Sequence, residues 1–333
     1  MNPFISVIIN VYNHAHILPK VFEALKAQTF KDFEIVIIDD CSPDNSREII
    51  DDFCKKNDTL NVKKIYLEKN LGVCGARNVG LDTASGIYII YNDGDEWMED
   101  NCLEELANIA KQYNADRVKG DYRRVDFEKG KTIDVRVFND KMSKWAFPSF
   151  VATIYRREIF ESNNIRCQKE YFLEDLYISG MFAVYEKSYA VCNKIIYNSM
   201  KTASSMTSSD TWKFLPVIDN AFSVYSYMKT MINSEEMDCF NYNYISYYYF
   251  VLAKFGRQSL KNAIKNHKYA RQLIRKKIPD YLKNPLITFR YNPYFAKGGQ
   301  KLIWGLALGE KLRIIPLSWI AYIILSKIIN PDT

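Results

Sequence analysis

The sequence has few of the residues that build zinc centres and disulfide frameworks. It contains three histidines and seven cysteines in 333 residues, the cysteines are scattered, and none of them forms a CxxC pair. Their odd number and their spacing argue against a disulfide scaffold or a structural zinc site, and they favour a reducing compartment, the cytoplasm. The first residues, MNPFISVIIN, lack the basic start and the long apolar run of a secretory signal peptide, so none is predicted.

Glycine is missing where two common nucleotide-binding motifs need it. The loop after the first apolar run, VYNHAHILPK, contains no glycine, which disfavours the Gly-rich loop of enzymes that make sugar nucleotides. The segment NLGVCGARNVG at 70–80 does contain glycines, but it lacks the Lys-Ser/Thr ending of a Walker A loop and the spacing of a dinucleotide fingerprint.

Charge is distributed unevenly along the chain. Residues 251–333 hold 16 Lys or Arg against three Asp or Glu, whereas the first 250 residues carry a net charge of −7 within a total of +6. An acidic body with a basic tail suggests two separate roles. Nucleic acid is disfavoured as a partner because the body is acidic and the sequence has no recognisable nucleic-acid-binding motif.

Apolar runs and amphipathic stretches alternate through the first 200 residues. The pattern predicts strands at 5–12, 33–39, 62–67 and 87–91, and helices at 17–28, 45–56 and 101–113. Such alternation indicates an α/β fold with a mainly parallel sheet that is covered on both faces. After about residue 205 the pattern changes to long helical stretches, so a C-terminal helical region is expected.

Three of the predicted strands end in polar residues: Tyr12 after the first, Asp39 and Asp40 after the second, and YNDGDEWM (91–98) after the fourth. Ligands of parallel α/β sheets bind beyond the carboxyl ends of the strands, so these residues are expected to line one pocket. The Asp-x-Asp spacing within 91–98 suits Mg²⁺ or Mn²⁺, with phosphate oxygens filling the other metal positions. A solvated turn and a helix N-cap are the alternative interpretations. Together with Arg77, a guanidinium suited to phosphate, these parts predict a nucleoside diphosphate site.

Four segments in order resemble a known enzyme family. SVIINVYN, VIIDDCSPDNS, NLGVCGARNVGL with ASGIYIIYNDGDEW, and YFLEDLYISGMF are similar to the motifs of the family 2 glycosyltransferases with the GT-A fold, from residue 4 to about residue 207. The resemblance implies a nucleotide-binding sandwich that transfers a sugar from a nucleotide donor with inversion. The usual Pro, Gly and Asp of these motifs are replaced by Asn10, Cys41 and Glu96.

The resemblance also implies roles for individual residues. The donor-binding residues would be Tyr12, Asp40, Arg77, Asp93 and Gly94, with Asp39 secondary. Tyr12 would stack on the base, Asp40 would hydrogen-bond to it, and Asp93 would contact the ribose. Asp95 would ligate Mn²⁺ or Mg²⁺.

The catalytic base is expected in the segment FLEDLY. By resemblance Asp175 would be the general base, with Glu174 shaping the site, and a carboxylate suits a role for which histidine is scarce. An acid pair at a helix N-terminus is the alternative interpretation. In the closing segment IIYNSMKTASSMTSS, Lys201 would keep a positive charge, although Ser199 replaces a common Arg. His14 and His16 are expected to be solvent-exposed rather than metal ligands.

The C-terminal region combines a basic stripe with an apolar end. The stripe is formed by Lys254, Arg257, Lys261, Lys265, Lys268, Arg271 and Arg275, which step by three or four. A solvated helix face is its default interpretation. The segment 314–329 is apolar but short for a bilayer span and contains Pro316. Attachment to the inner face of the cell membrane, a buried helix and a homo-oligomer contact all remain open for this segment.

The resulting hypothesis is a metal-dependent, inverting glycosyltransferase that uses a nucleotide sugar, by family habit UDP-linked, and a glycan or lipid-linked acceptor in bacterial surface polysaccharide synthesis. The expected domains are a GT-A domain at 1–207, with a nucleotide-binding half at 1–97 and an acceptor half at 98–207, and a helical region at 208–333. The alternatives are a sugar-nucleotide nucleotidyltransferase and a non-catalytic protein that binds a membrane surface.

Overall fold

The computed structural model describes residues 2–126, 128–146, 149–169, 174–201, 214–256, 260–289 and 300–314. The chain divides into two compact units. The first unit contains Met1–Asp140, Phe147–Glu170 and Glu174–Ser208, and the second contains Lys141–Ala146, Tyr171–Leu173 and Ser209–Thr333. The short segment Lys141–Ala146 therefore groups with the second unit. The functional division of the first unit into nucleotide and acceptor halves stays a prediction.

The N-terminal half of the sheet is parallel. Its strands are β1 (Ile5–Val11), β2 (Phe33–Asp39), β3 (Val62–Tyr66) and β4 (Tyr88–Asp93), in the order β3-β2-β1-β4. Every residue of β1 and β2 is buried, as expected for strands that are covered on both faces. The chain crosses to β2 on one side of β1 and to β4 on the other, so the order of the strands reverses at β1, where ligands of open α/β sheets bind.

Four helices connect and cover these strands: α1 (Leu18–Ala27), α2 (Ser46–Lys56), α3 (Gly72–Thr83) and α4 (Cys102–Tyr113). Three of them match the predicted helices, but α3 occupies the glycine-containing segment 70–80, for which the sequence pattern predicts no helix. The glycine at position 80 is needed for packing between the helix and the sheet. A Cβ on Gly80 would lie 2.3 Å from Ile8 Cγ2, so the glycine lets α3 approach β1 closely.

The second half of the sheet is mixed. Its strands are β5 (Trp97–Met98), β6 (Arg117–Asp126), β7 (Lys131–Arg136), β8 (Thr153–Arg156) and β9 (Tyr189–Lys201), and its helices are α5 (Arg157–Ser162) and α6 (Glu174–Tyr185). Strand β8 lies between β4 and β6 and is antiparallel to both, while β6 and β9 are parallel. This arrangement brings the start of α6 and the strand β9 into the same unit as the parallel half.

The second unit is helical where it is described. Its helices are α7 (Phe214–Met228), α8 (Met237–Gly256), α9 (Leu260–Lys277) and α10 (Gln300–Lys311). The tyrosine-rich segment of α8 packs inside this unit: the hydroxyls of Tyr248 and Tyr249 donate to the buried Glu310 carboxylate at 2.9 and 3.0 Å. His267 of α9 and Tyr281 contact the same carboxylate. Three tyrosines of this unit therefore hydrogen-bond to one buried carboxylate, that of Glu310.

The basic stripe is only partly a solvated face. Lys265, Lys268 and Arg275 are exposed, whereas Arg271 is partly buried with its Nε 3.9 Å from Glu310 Oε1. The side chains of the other stripe residues and the segment 315–333 lie outside the described residues. Within the described ranges, no helix combines the length and the apolar character that a bilayer span needs.

Candidate active site

The polar strand ends predicted from the sequence meet at one edge of the sheet. Val11 of β1 pairs with Asp39 of β2, and Asn10 of β1 pairs with Asp93 of β4. The three strands therefore end almost level. The Tyr12 side chain is 47% exposed beyond the end of β1, so its ring face is available to a ligand.

The two aspartates after β2 have different surroundings. Asp40 Oδ1 accepts a hydrogen bond from the Leu71 backbone N–H at 2.6 Å, and burial raises the pKa of Asp40. Asp39 Oδ1 accepts from Arg47 Nε at 2.6 Å, while Asp39 Oδ2 is buried without a hydrogen-bond partner among the described residues. Asp40 thus also anchors the start of α3. Of the two aspartates, Asp39 is the one with a buried carboxylate oxygen, Oδ2, that accepts no hydrogen bond among the described residues.

Arg77 joins the donor side of the site to the predicted base. This side chain of α3 is only 5% exposed, and its Nη2 lies 3.1 Å from Asp93 Oδ1. Its Nη1 lies 3.1 Å from Glu174 Oε1 and 3.4 Å from Asp175 Oδ1. The pKa of Arg77 is raised well above its usual value by these carboxylates, in spite of desolvation. One guanidinium therefore holds three carboxylates.

This cluster gives Asp93 a counter-charge that the sequence does not reveal. The acidic run after β4 has no basic neighbour along the chain. In the fold Arg77, 16 residues earlier, is the counter-charge of Asp93. Both terminal nitrogens of Arg77 already contact carboxylates. The contact expected between Arg77 and a donor phosphate therefore stays a prediction.

An aromatic ring and a buried lysine support the guanidinium. The Phe150 ring centroid lies 4.8 Å from the Arg77 guanidinium carbon. On either side of Phe150, the carbonyls of Ser149 and Val151 accept hydrogen bonds from Lys119 Nζ at 3.2 and 2.6 Å. A third bond from Lys119 reaches Thr153 Oγ1 at 3.1 Å. Burial lowers the pKa of Lys119 to about 7.

The surroundings of Asp175, the predicted general base, favour the protonated form of its side chain. Its side chain is 41% exposed, yet desolvation by the surrounding protein raises the pKa of Asp175 to about 7. The charge of Arg77 opposes this rise, and the charges of Glu174 and Asp93 add to it. Nearby, Asp121 accepts a hydrogen bond from the Phe138 backbone N–H at 2.7 Å, and burial raises the pKa of Asp121 to about 6.

Residues 93–96, which carry the predicted metal ligand Asp95 and are called the metal loop, form a tight turn. The backbone N–H of Gly94 donates to the Asn10 carbonyl at 2.9 Å, and a Cβ on residue 94 would lie 2.5 Å from His14 Nδ1. Glycine at 94 is therefore required by neighbouring protein atoms. Desolvation, and then the Asp93 charge, raise the pKa of Asp95 to about 7. Among the described residues, Asp95 forms no salt bridge.

His14 was missed as a site residue. His16 is exposed as predicted, but His14 is partly buried against Gly94, and its Nδ1 has no hydrogen-bond partner within the described residues. Burial lowers the pKa of His14, while the Asp93 charge opposes this change. The pairing of β1 with β4 brings the loop after β1 to the metal loop, and no local sequence signal reports that contact.

A second group that the sequence did not identify lies behind the metal loop. Asn92, Glu96 and Tyr197 are buried, and the Tyr197 hydroxyl lies 2.9 Å from both Asn92 Oδ1 and Glu96 Oε2. Burial, and then the charges of Asp93 and Asp95, raise the pKa of Glu96 well above its usual value. Lys201 ends β9, but its side chain and the closing segment from residue 202 lie outside the described residues.

The donor set can be compared with what a divalent cation requires. Within the described ranges, no group of three His, Cys, Asp or Glu side chains could hold a metal ion. A closed protein cage is therefore not present there. One carboxylate that forms no salt bridge among the described residues, Asp95, fits a Mg²⁺ or Mn²⁺ ion that is held jointly with the phosphate oxygens of a nucleotide.

Comparison with known proteins decides the family. The profile of Glycosyl transferase family 2 matches residues 6–192. The chain belongs to this family. It is 30% identical over 276 residues to the cholesterol galactosyltransferase of Borreliella burgdorferi, with 75% of both chains covered. It is 28% identical over 239 residues to the glycosyltransferase GlyA of Streptococcus pneumoniae, but covers only 34% of that longer relative.

Solved structures show the same fold. The S. aureus TarS fragment 1–349 has a TM-score of 0.67 at 17% identity, with 97% of this chain and 91% of the fragment covered. A complex of the same fragment with UDP-GlcNAc is also similar. The mannosyltransferase PcManGT of Pyrobaculum calidifontis, in complex with GDP-Man and Mn²⁺, has a TM-score of 0.60 at 13% identity, with 100% and 89% covered. The predicted family, GT-A type of fold and glycosyltransferase class are confirmed.

Proposed function

We propose that this glycosyltransferase is metal-dependent and inverting, and that it moves a sugar from a UDP-sugar to a hydroxyl of a glycan or lipid-linked acceptor in surface polysaccharide synthesis. The observation that carries the proposal is the Arg77 cluster, which joins Asp93 at the donor end of β4 to Asp175 at the start of α6. Inverting transfer needs a base on the acceptor side and charge stabilisation on the leaving side.

The donor would lie across the ends of β1, β2 and β4. Tyr12 would stack on the base and Asp40 would hydrogen-bond to it, with Asp39 secondary. Asp93, whose side chain is partly exposed and fixed by Arg77, would accept from a ribose hydroxyl. UDP is favoured because the family most often uses it and because TarS, a protein of similar fold, binds UDP-GlcNAc.

Asp95 would hold the divalent cation. When bound with the donor, Mn²⁺ or Mg²⁺ would neutralise the charge that develops on the leaving diphosphate. The similar fold of PcManGT, which was solved with Mn²⁺, supports the choice of ion. By the family resemblance, Lys201 would supply a positive charge for the diphosphate.

Asp175 would remove the proton of the acceptor hydroxyl. Its pKa of about 7 lets the carboxylate be ionised at neutral pH while remaining basic enough to accept a proton. Glu174, which shares Arg77 with Asp175, would keep the base oriented. The sequence relationship to a cholesterol galactosyltransferase supports a lipid acceptor as well as a glycan.

A donor screen tests this proposal. The protein is incubated with UDP-Glc, UDP-Gal, UDP-GlcNAc and GDP-Man, with and without Mn²⁺ or Mg²⁺, and nucleotide release and the thermal midpoint are measured. Metal-dependent release from one donor, and stabilisation by that nucleotide only with metal, are expected. Inversion is checked from the anomeric configuration of the product. A chain that neither binds nor hydrolyses any of these donors would be a non-catalytic binding protein.

The C-terminal region would determine where the enzyme works. The exposed side chains of Lys265, Lys268 and Arg275 on α9 could contact anionic lipid, which would place the protein at the inner face of the cell membrane. A homo-oligomer contact through the C-terminal helices is the second candidate, and both depend on the apolar segment 314–329.

A further inference from the structure

A buried hydrogen-bond network lies directly behind the metal loop. The exposed fraction is 1% for Asn92, 8% for Glu96 and 0% for Tyr197, so these side chains are closed off from solvent. The Tyr197 hydroxyl, from β9, lies 2.9 Å from Asn92 Oδ1 and 2.9 Å from Glu96 Oε2. A tyrosine on one strand thus connects two residues on either side of the loop that carries Asp95.

The amide of Asn92 closes the loop. Its Nδ2 donates to the carbonyl oxygens of Asp93 at 2.9 Å and Glu96 at 3.0 Å. The backbone N–H of Glu96 also donates to the Asp93 carbonyl at 2.9 Å. The conformation of residues 93–96 therefore depends on the orientation of the Asn92 side chain, and this orientation depends on Tyr197.

Glu96 completes the network from the other side. A tyrosine hydroxyl has one proton, so it can donate to only one of its two neighbours. The other neighbour still contacts the hydroxyl oxygen, so the position of the Tyr197 hydroxyl depends on both Asn92 Oδ1 and Glu96 Oε2. A buried network of this kind keeps its geometry only while every member has a partner.

We infer that Glu96 is a positioning residue of the metal loop: it fixes Asp95 through Tyr197 and Asn92 and does not itself ligate the cation. This inference rests on the proposed metal-dependent donor site. Three acidic residues within four positions would otherwise suggest Glu96 as an additional ligand. Groups that orient a metal ligand without touching the metal typically contribute about 10–100-fold to metal affinity.

Three substitutions separate positioning from ligation. In Glu96→Gln the amide N–H can donate to the Tyr197 oxygen, which leaves the tyrosine proton for Asn92, so UDP–Mn²⁺ affinity should stay within about threefold of wild type. Glu96→Ala leaves Tyr197 with one partner, and Mn²⁺ affinity in the presence of UDP should fall about tenfold or more. Asp95→Asn is the comparison for a lost ligand.

The measurement is calorimetry of UDP and Mn²⁺ binding, with the thermal midpoint of the metal-free protein recorded for each variant. The inference is overturned if Glu96→Gln loses Mn²⁺ as completely as Asp95→Asn while its metal-free midpoint is unchanged, since that pattern identifies a ligand. Wild type that binds UDP without metal dependence would instead reject the proposed function, which keeps the two failures distinct.

Tyr197→Phe provides a second test in case Glu96→Ala does not fold. It removes the hydroxyl but leaves every carboxylate of the loop in place. We expect the same loss of Mn²⁺ affinity as in Glu96→Ala, and no further loss when Glu96→Gln is combined with Tyr197→Phe, because both act through one link. Unchanged Mn²⁺ affinity in Tyr197→Phe would contradict the inference.

Discussion

The pH dependence of turnover gives the most direct test of Asp175 as the base. A general base acts in its ionised form, and desolvation raises the pKa of Asp175 to about 7, against the charge of Arg77 and with that of Glu174. Turnover should therefore be low in acid, rise as the pH passes through about 7, and level off above that value. Below the pKa, each unit of pH should lower turnover about tenfold, because the ionised fraction falls tenfold.

Two neighbouring substitutions should move this rise in opposite directions. Arg77→Gln removes a cation 3.4 Å from Asp175 Oδ1. An opposite charge within this range typically lowers a carboxyl pKa by about 1–3 pH units, so its loss should move the rise to higher pH by about one unit or more. Glu174→Gln removes a negative charge beside Asp175, and Arg77 Nη1 then has Asp175 as its one charged partner of this pair. The pKa of Asp175 should fall, so the rise should move to lower pH.

Asp175→Asn should abolish the rise altogether. The amide keeps the size of the side chain but cannot take a proton, and turnover should fall about 10²–10⁴-fold while UDP-sugar affinity changes little. The assay is UDP release with a transferring acceptor, measured from acid to alkaline pH for all four proteins. Near-normal turnover in Asp175→Asn, or a rise that moves in neither neighbouring variant, would refute this assignment. Asp121 and Glu174 would then be the next candidates.

Three further predictions concern other parts of the chain. Asp95→Ala should abolish metal-coupled UDP binding in calorimetry, and undiminished UDP–Mn²⁺ binding would show that Asp95 is not the ligand. Lys119→Met should release the carbonyls on either side of Phe150 and lower the thermal midpoint, since a buried acceptor without its donor costs about 1–3 kcal/mol; an unchanged midpoint would contradict this. Deletion of 314–333 should leave UDP binding intact but change liposome flotation or the size measured by light scattering, and no change in either would leave the buried-helix interpretation.

The fold was predictable wherever the sequence pattern was local. Strand β2 spans Phe33–Asp39, as the apolar run indicates, and the end of α4 at Tyr113 follows the periodicity of its apolar residues. Helix α3 was not predictable, because its glycines have a poor helix propensity, and the packing of Gly80 against Ile8 is not visible in the sequence. The antiparallel strand β8 is only four residues long, which is too short for an alternation to be recognised.

The sequence allowed most residues of the candidate site to be named, but not the side-chain contacts that connect them. Asp39, Asp93 and Asp95 could be placed at strand ends from the sequence alone. Tyr197, which fixes the metal loop, is 105 residues from Asn92 and sits in an ordinary strand sequence. His14 likewise comes to lie against Gly94 only when β1 pairs with β4. Contacts of this kind depend on strand order, and no local pattern encodes strand order.

The two aspartates of the metal loop differ in whether a positively charged side chain balances their charge. Arg77 compensates Asp93, and its other contacts, Glu174 and Asp175, lie 97 and 98 residues away in sequence. Asp95 has no such partner among the described residues, and desolvation followed by the Asp93 charge raises the pKa of Asp95 to about 7. The case for a divalent cation therefore rests on Asp95 rather than on the acidic run as a whole. For this reason a substitution at Asp95 tests the metal-binding role without disturbing Arg77. A substitution at Asp93 would also remove a contact of Arg77, and Arg77 in turn contacts Asp175, the predicted base.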